Sequence, residues 1–113
     1  MTTPETLDRL YPQLSKGRYC VCCGARQTEI HHIIPRAHKL LRWDLINLVP
    51  LCHECHQKVH TNKKYLELFL PKSRFEYLQN LKNQDFKQYL LEHNLAAEDF
   101  YKLKEKDIKR SLK

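Results

Sequence analysis

Apolar side chains recur at intervals of three or four residues from Pro4 to Leu14, which is the spacing of the buried face of a short helix. Thr3 is the expected N-cap of this helix, because proline at the next position suits a first helical turn. Pro12 is expected to end or kink the helix, since proline lacks an amide hydrogen. The chain is therefore predicted to begin with one short amphipathic helix.

The pattern changes in the middle of the chain, where helix-forming residues become scarce. The segment 29–34 and the segment 47–51 are short, apolar and bounded by proline or polar residues, which indicates two extended strands. A basic connection, 36–42, lies between them. From residue 53 to residue 60 the sequence again favours a helix.

The last 52 residues, 62–113, are predicted to be helical throughout, with breaks near Pro71 and Asn94. Their apolar residues follow the i, i+3, i+4 spacing that core packing between helices requires. These residues are Tyr65, Leu66, Phe69, Leu70, Phe75, Leu78, Leu81, Phe86, Tyr89, Leu90, Phe100, Leu103 and Ile108.

Composition divides the same 113 residues into three parts of one domain. Residues 1–19 form an N-terminal helical segment. Residues 20–61 hold all five cysteines and every histidine except His93. Residues 62–113 form a helical C-terminal extension that is expected to pack on the central part.

The formal net charge is +7, which favours an anionic partner such as nucleic acid, although many basic proteins simply expose solvated lysines. No apolar run is long enough for a membrane span, and the polar N-terminus does not resemble a signal peptide. We therefore expect a cytoplasmic protein without membrane contact. In that compartment paired cysteines indicate a metal site rather than disulfides.

Four of the cysteines form two Cys-x-x-Cys pairs about thirty residues apart, namely Cys20, Cys23, Cys52 and Cys55. Two such pairs can close one tetrahedral zinc site, and Gly24 would let backbone N–H groups turn toward sulfur. Cys22 is left over as a small buried or half-buried residue. Its use as a ligand in place of Cys20 is an alternative with less suitable spacing.

The histidines of the central part are spaced for a second metal. In a strand, His31 and His32 point to opposite faces, so one can bind a metal while the other faces a substrate. On a helix, His56 and His60 are i and i+4 and share a face. One strand imidazole and two helical imidazoles make a three-nitrogen site with open coordination positions, as a catalytic metal requires.

Residues 20–60 carry His-His followed by proline, then Asn-Leu, then Cys-His with another histidine four residues later. This order resembles the HNH endonucleases, also called ββα-metal nucleases, in the variant with two Cys-x-x-Cys pairs. The resemblance implies an α+β fold: a small ββα-metal core with a four-cysteine zinc site, flanked by an N-terminal helix and a helical C-terminal extension.

The resemblance also assigns roles by position. His32 matches the general base, and Asn47 matches the residue that holds the loop or the imidazole and orients the base. His31 matches the first metal ligand, a place often taken by aspartate, and His56 and His60 match the remaining ligands. Three imidazoles suit Zn²⁺, Ni²⁺, Co²⁺ or Mn²⁺ better than Mg²⁺, so the identity of the metal stays open among Mg²⁺, Mn²⁺, Ni²⁺ and Zn²⁺.

The implied function is that of a metal-dependent DNA endonuclease that hydrolyses phosphodiester bonds, in a bacterial cell or encoded by a phage. No base-reading pattern is present, so we expect weak sequence specificity, and either a monomer or a homodimer. Four basic residues between the strands are candidate contacts to DNA phosphates: Arg36, His38, Lys39 and Arg42.

Two other classes of protein fit parts of the sequence. A non-catalytic zinc-knuckle protein that binds nucleic acid explains the cysteines and the charge but not the clustered histidines. A zinc nucleobase deaminase would need Pro-Cys-x-x-Cys, but Leu51 separates Pro50 from Cys52, and no His-x-Glu precedes them.

Overall fold

Five helices surround a two-stranded antiparallel sheet, so the fold is α+β as predicted. The computed structural model describes all residues from 1 to 113. The regular elements are α1 (Pro4–Leu10), β1 (Glu29–His32), β2 (Leu48–Leu51), α2 (His53–Thr61), α3 (Lys72–Lys82), α4 (Phe86–Glu92) and α5 (Ala97–Ser111). Shorter 3₁₀ turns span Tyr11–Ser15, Leu45–Asn47 and Lys63–Leu68.

The prediction for the N-terminal helix is confirmed. The side chain of Thr3 accepts a hydrogen bond from the backbone N–H of Thr6, and Pro4 occupies the first turn. Helix α1 ends at Leu10, and a 3₁₀ turn that contains Pro12 follows it. The fully buried Leu7 belongs to the same core as two residues of α5, so the two ends of the chain pack together.

Strands β1 and β2 pair with Glu29 opposite Leu51 and His32 opposite Leu48. Both strands are shorter than the sequence predicted. Strand β1 stops at His32, and the backbone of the predicted strand residue Ile34 bonds to the side chain of Asn47 instead. Strand β2 starts only after the 3₁₀ turn Leu45–Asn47.

The core divides into two groups of buried residues. The helical cluster joins α1, the loop after β1 and the C-terminal helices: Leu7, Tyr11, Leu14, Leu40, Leu41, Trp43, Leu48, Leu78, Phe100 and Ile108. The knuckle cluster joins the cysteine turns, β2 and α2: Cys20, Val49, Leu51, Cys55, Val59 and Leu66. Neighbouring residues of β2 belong to different clusters because successive side chains of a strand point to opposite faces.

The C-terminal extension is more broken than predicted. Residues Lys63–Leu68 form a 3₁₀ turn rather than an α-helix, Pro71 is the N-cap of α3, and Asn94 separates α4 from α5 with a positive φ of 54°. The expectation that Phe69 and Leu103 are core residues is wrong, because these residues are 38% and 50% exposed. No helix combines the length and apolar character that crossing a membrane requires.

Candidate metal centres and active site

The two Cys-x-x-Cys pairs come together as the spacing predicted. The sulfur atoms of the four paired cysteines all lie within 4.8 Å of one another, and Cys22 is outside this group. Cys23 Sγ and Cys52 Sγ are 3.5 Å apart. Sulfur ligands about 2.3 Å from a tetrahedral zinc ion are separated by about 3.8 Å, so the donor set and its spacing fit zinc.

Local backbone geometry positions these thiols. Gly24 has a φ of +78°, which allows the tight turn after the first pair. Cys52 is the N-cap of α2, where its sulfur accepts a hydrogen bond from the backbone N–H of Cys55. Burial acts to raise the pKa of Cys20, but backbone hydrogen bonds from Cys52 and neighbouring residues lower that pKa to about 6. This cysteine is therefore readily available as a thiolate.

The pKa of the Cys22 thiol is shifted in the opposite direction from that of Cys20. Burial and the negative charge of Cys20 raise the pKa of the Cys22 thiol to about 11. Cys22 lies outside the group of four sulfur atoms, which leaves Cys20 as the better-placed ligand.

Three imidazoles form a second group of potential ligands. His31 on β1 faces α2, where His56 and His60 are one helical turn apart. One ring nitrogen of each histidine lies within 4.8 Å of the others. The ring centroid of His31 is 4.9 Å from that of His56 and 5.3 Å from that of His60.

The buried position of His31 favours its neutral form. Only 8% of the residue is exposed, and burial together with the neighbouring His56 and His60 lowers its pKa to about 4. A neutral imidazole has the free lone pair that a metal requires. His31 therefore offers a nitrogen donor without a competing proton at neutral pH.

Glu29 is a site residue that the sequence analysis missed. Its Oε1 lies 2.5 Å from His56 Nδ1, and this hydrogen bond lowers the pKa of the carboxyl group. A carboxylate on Nδ1 leaves Nε2 as the free nitrogen and orients the ring, as carboxylate partners of metal-binding histidines commonly do. A signal was present in the sequence, because Glu29 precedes His31 by two residues and shares its face of β1.

His32 points away from the three imidazoles, toward the N-terminal segment. Its Nε2 lies 2.8 Å from the backbone carbonyl of Arg42, so Nε2 carries the hydrogen and Nδ1 carries the lone pair. His32 Nδ1 has no hydrogen-bond partner in the structure, and His32 lines the cleft described below. Burial lowers the pKa of His32, which keeps this lone pair free at neutral pH.

Asn47 contacts backbone rather than the imidazole, which decides between the two alternatives that the sequence left open. Its Oδ1 accepts a hydrogen bond from Ile34 N (2.7 Å), and its Nδ2 donates to the carbonyls of Ile34 (3.0 Å) and Leu41 (2.9 Å). The side chain is fully buried. Asn47 therefore ties the start of the loop between the strands, at Ile34, to its middle, at Leu41, the residue that precedes Arg42.

A cleft of about 490 Å³, here called the histidine cleft, contains both kinds of histidine. Its polar lining is His31, His32, His56, His60, Arg36 and Lys63. The side chain of Arg36 is 54% exposed. Arg36, Lys63 and His32 thus line the same cleft as the imidazole group.

The four candidate phosphate contacts lie in different parts of the structure. Arg36 lines the histidine cleft and its Nη2 lies 3.7 Å from Asp8 Oδ2, whereas Arg42 forms a bidentate ion pair with Asp8. His38 Nε2 bonds the carbonyl of Lys82 at the end of α3, and the ammonium of Lys39 lies over a ring of α4. The structure brings only Arg36 of this set to the cleft.

Comparison with known proteins gives one family and one relative of limited coverage. Residues 20–62 match the family model described as HNH endonuclease. The chain is 43% identical over 49 residues to a mitochondrial DNA mismatch repair protein mutS homolog of Sarcophyton glaucum. That alignment covers 39% of this chain and 5% of the length of the relative. No solved structure matches.

The matched segment contains both Cys-x-x-Cys pairs, the three grouped imidazoles, His32 and Asn47. The family implies nuclease or nucleic-acid-binding activity. The resemblance to the HNH endonuclease family is therefore confirmed over residues 20–62 of this chain.

Proposed function

We propose that the protein is a metal-dependent endonuclease that hydrolyses phosphodiester bonds in DNA. The observation that carries this proposal is that His32, whose Nδ1 is free, lines the same cleft as the three imidazoles. A base and a metal on opposite sides of one cleft can act on the same phosphate. The family match over the segment that contains these residues supports the same reaction class.

His31, His56 and His60 would hold one divalent ion. The donors fit such an ion because one ring nitrogen of each lies within 4.8 Å of the others, and Glu29 orients one of them. Three protein ligands leave coordination positions open, as in catalytic rather than structural sites. When bound, the ion supplies positive charge that stabilises the scissile phosphate and the leaving oxygen. An all-imidazole set favours Zn²⁺, Ni²⁺, Co²⁺ or Mn²⁺ over Mg²⁺.

His32 would act as the general base. Its Nδ1 accepts a proton from a water molecule while the water oxygen forms a bond to phosphorus. The bond from phosphorus to the 3′ oxygen breaks, and that oxygen takes a proton from solvent. The Arg42 carbonyl holds the hydrogen on Nε2 and so keeps Nδ1 as the accepting atom.

The substrate class follows from charge. Arg36 and Lys63 line the cleft, and the whole chain carries +7, so an anionic polymer is favoured over a neutral substrate. Arginine and lysine contacts to phosphate do not read sequence. We therefore expect weak sequence preference.

The four paired cysteines would hold a structural zinc ion. All four positions of a tetrahedron are filled by protein sulfur, which leaves no place for water or substrate. This zinc would join the turn before β1 to the start of α2.

A plasmid-nicking assay tests the proposed function, with Mg²⁺, Mn²⁺, Ni²⁺ and Zn²⁺ supplied separately. We expect His32→Ala to lower the rate by roughly a hundredfold or more, the usual contribution of a general base. The exposed His93 lies outside the histidine cleft, so His93→Ala is the matched control and should keep the rate of the wild type.

Equal rates for the wild type and His32→Ala with every metal would contradict the proposal. If DNA still bound under those conditions, the result would support the alternative of a non-catalytic zinc-knuckle protein that binds nucleic acid.

A further inference from the structure

Asp8 lies in α1, outside the segment that matches the family, yet it contacts the loop that holds His32. Its Oδ1 accepts hydrogen bonds from Arg42 Nε (3.1 Å) and Trp43 Nε1 (2.9 Å). Its Oδ2 accepts a third from Arg42 Nη2 (2.6 Å). One carboxylate therefore fixes two consecutive side chains of this loop.

The carbonyl that binds His32 belongs to Arg42, in the middle of this fixed stretch. Asn47 holds the preceding carbonyl, that of Leu41, from one side. Asp8 holds the side chains of Arg42 and Trp43 from the other side. The peptide group that accepts the hydrogen of His32 Nε2 is thus held at both of its ends.

Tyr11 adds a second contact from the same N-terminal segment. Its ring meets the imidazole of His32 edge to face, with 4.9 Å between centroids. Tyr11 is itself 9% exposed and belongs to the helical cluster, so it gives the imidazole a fixed wall on one side. The hydrogen bond and this wall together restrict rotation of the ring.

We propose that Asp8 is a positioning residue that acts through Arg42 to fix the tautomer and direction of His32. The consequence for cleavage rests on the proposed function, whereas the consequence for the imidazole does not. With the Arg42 carbonyl in place, the hydrogen stays on Nε2 and Nδ1 stays basic. Without Asp8, the carbonyl moves more freely and the ring can exchange tautomers or rotate.

An ion pair that served only stability would have a different signature. The side chains of Asp8 and Arg42 are 25% and 26% exposed, and a bidentate arginine–carboxylate pair of this kind also contributes to stability. A merely stabilising pair would change the melting temperature without changing the imidazole of a protein that is still folded. The state of His32 therefore separates the two explanations.

The test compares Asp8→Asn with Glu5→Gln in the full chain. Both variants remove one negative charge from α1, but Glu5 is exposed and forms no ion pair. Imidazole nitrogen shifts of His32, measured by ¹⁵N NMR, report the tautomer directly. Steady-state cleavage of plasmid by the metal-loaded protein gives kcat and KM separately.

We expect Glu5→Gln to match the wild type in both measurements. In Asp8→Asn, a mixture of tautomers should replace the single Nε2–H form of His32. Its kcat should fall about tenfold or more, and KM should stay within about twofold, because misplacement of a catalytic group acts on the chemical step. Asp8→Glu, which keeps the carboxylate, should recover part of kcat.

A folded Asp8→Asn protein with the wild-type tautomer would overturn the inference. Arg42→Gln removes the same ion pair from the other side and keeps the backbone carbonyl, so it should reproduce the effect, and the double variant should be no worse than either single one. Loss of the folded state in both single variants would also overturn the inference, because the pair would then serve folding. Absence of cleavage in the wild type would contradict the proposed function but leave the tautomer result to decide the role of Asp8.

Discussion

Asn47 supplies hydrogen-bond partners for backbone groups that no regular element satisfies. Replacement by alanine leaves the N–H and the carbonyl of Ile34 without their partner, whereas the carbonyl of Leu41 keeps the hydrogen bond from the backbone N–H of Asp44. Each buried polar group without a partner costs about 1–3 kcal/mol. We expect Asn47→Ala to lower the free energy of unfolding by about 3 kcal/mol, measured by urea denaturation.

Asn80→Ala is the matched control for this measurement. Asn80 lies exposed in α3, where alanine is the better helix former, so its replacement should leave the stability unchanged or slightly higher. Equal stability of the two variants would show that the loop does not depend on the amide of Asn47.

The phenol of Tyr77 makes stability depend on alkaline pH. Burial and the adjacent Asp44 raise the pKa of Tyr77 above its usual value, and its hydroxyl donates a hydrogen bond of 2.8 Å to Asp44 Oδ2. The unfolded chain loses this proton near pH 10, while the folded protein keeps it. Stability therefore falls as the pH rises above about 10.

Urea denaturation at pH 8 and pH 10.5 measures this dependence. We expect the wild type to lose more stability between these two values than Tyr77→Phe, which has no proton to lose at this position. An equal loss in both proteins would mean that Tyr77 ionises as readily in the folded state as in the unfolded chain.

At the level of single elements, the turn after the first cysteine pair tests how backbone geometry serves the zinc site. Gly24 and Gly17 both have positive φ values, 78° and 72°, and a Cβ on either would meet no atom within 4 Å. Replacement of either by alanine should therefore cost only the backbone strain, about 1–2 kcal/mol. Gly24→Ala should in addition release zinc to a chelator faster, because the strain falls beside Cys23.

Gly17→Ala serves as the control, since it has the same strain outside the cysteine turn. Zinc loss is followed with a coloured chelator, and stability by thermal melting. Equal rates of zinc release from the two variants would contradict a role of the Gly24 turn in holding the thiols.

Local patterns predicted the elements whose residues determine their own conformation. The cap at Thr3, the stop near Pro12, the helical pair His56 and His60 and the approach of the cysteine pairs all follow from spacing or from single residue types. The lengths of the strands did not follow, because Asn47 competes for the backbone of Ile34 across thirteen residues. The spacing of apolar residues along the chain does not reveal such a contact.

The contacts around His32 could not be predicted from the sequence for a similar reason. Arg42 fitted a phosphate contact by charge and position, and nothing in its neighbourhood indicated a partner thirty-four residues earlier in the chain. The position of Glu29 in the site could have been predicted from the sequence, because strand alternation places it beside His31. Partners on the same strand can be derived from sequence spacing, whereas partners on distant elements require the fold.

For the molecule as a whole, zinc at the four cysteines should stabilise one of the two clusters more than the other. Two of the proposed zinc ligands, Cys20 and Cys55, belong to the knuckle cluster, and none belongs to the helical cluster. We expect a chelator to remove one tightly bound zinc per chain and to increase hydrogen exchange in β2 and α2 more than in α1 and α5. Binding energy at a structural zinc is largely folding energy, so this loss should be large.

Two serine variants complete this experiment. Cys55→Ser should lose the zinc, and Cys22→Ser should keep it, because Cys22 lies outside the group of four. A uniform increase in exchange across the chain after chelation would contradict the division into two independently stabilised clusters.

The alternation of β1 has a consequence for how this site can change over time. His31 faces α2 beside the knuckle cluster, whereas His32, its immediate neighbour, is enclosed by Tyr11 and the loop of the helical cluster. Under the proposed function, affinity for the ion and the basicity of His32 would therefore be governed by different parts of the chain. Substitutions among the helices would change turnover without changing ion binding, so the two properties could evolve separately although their residues share one peptide bond.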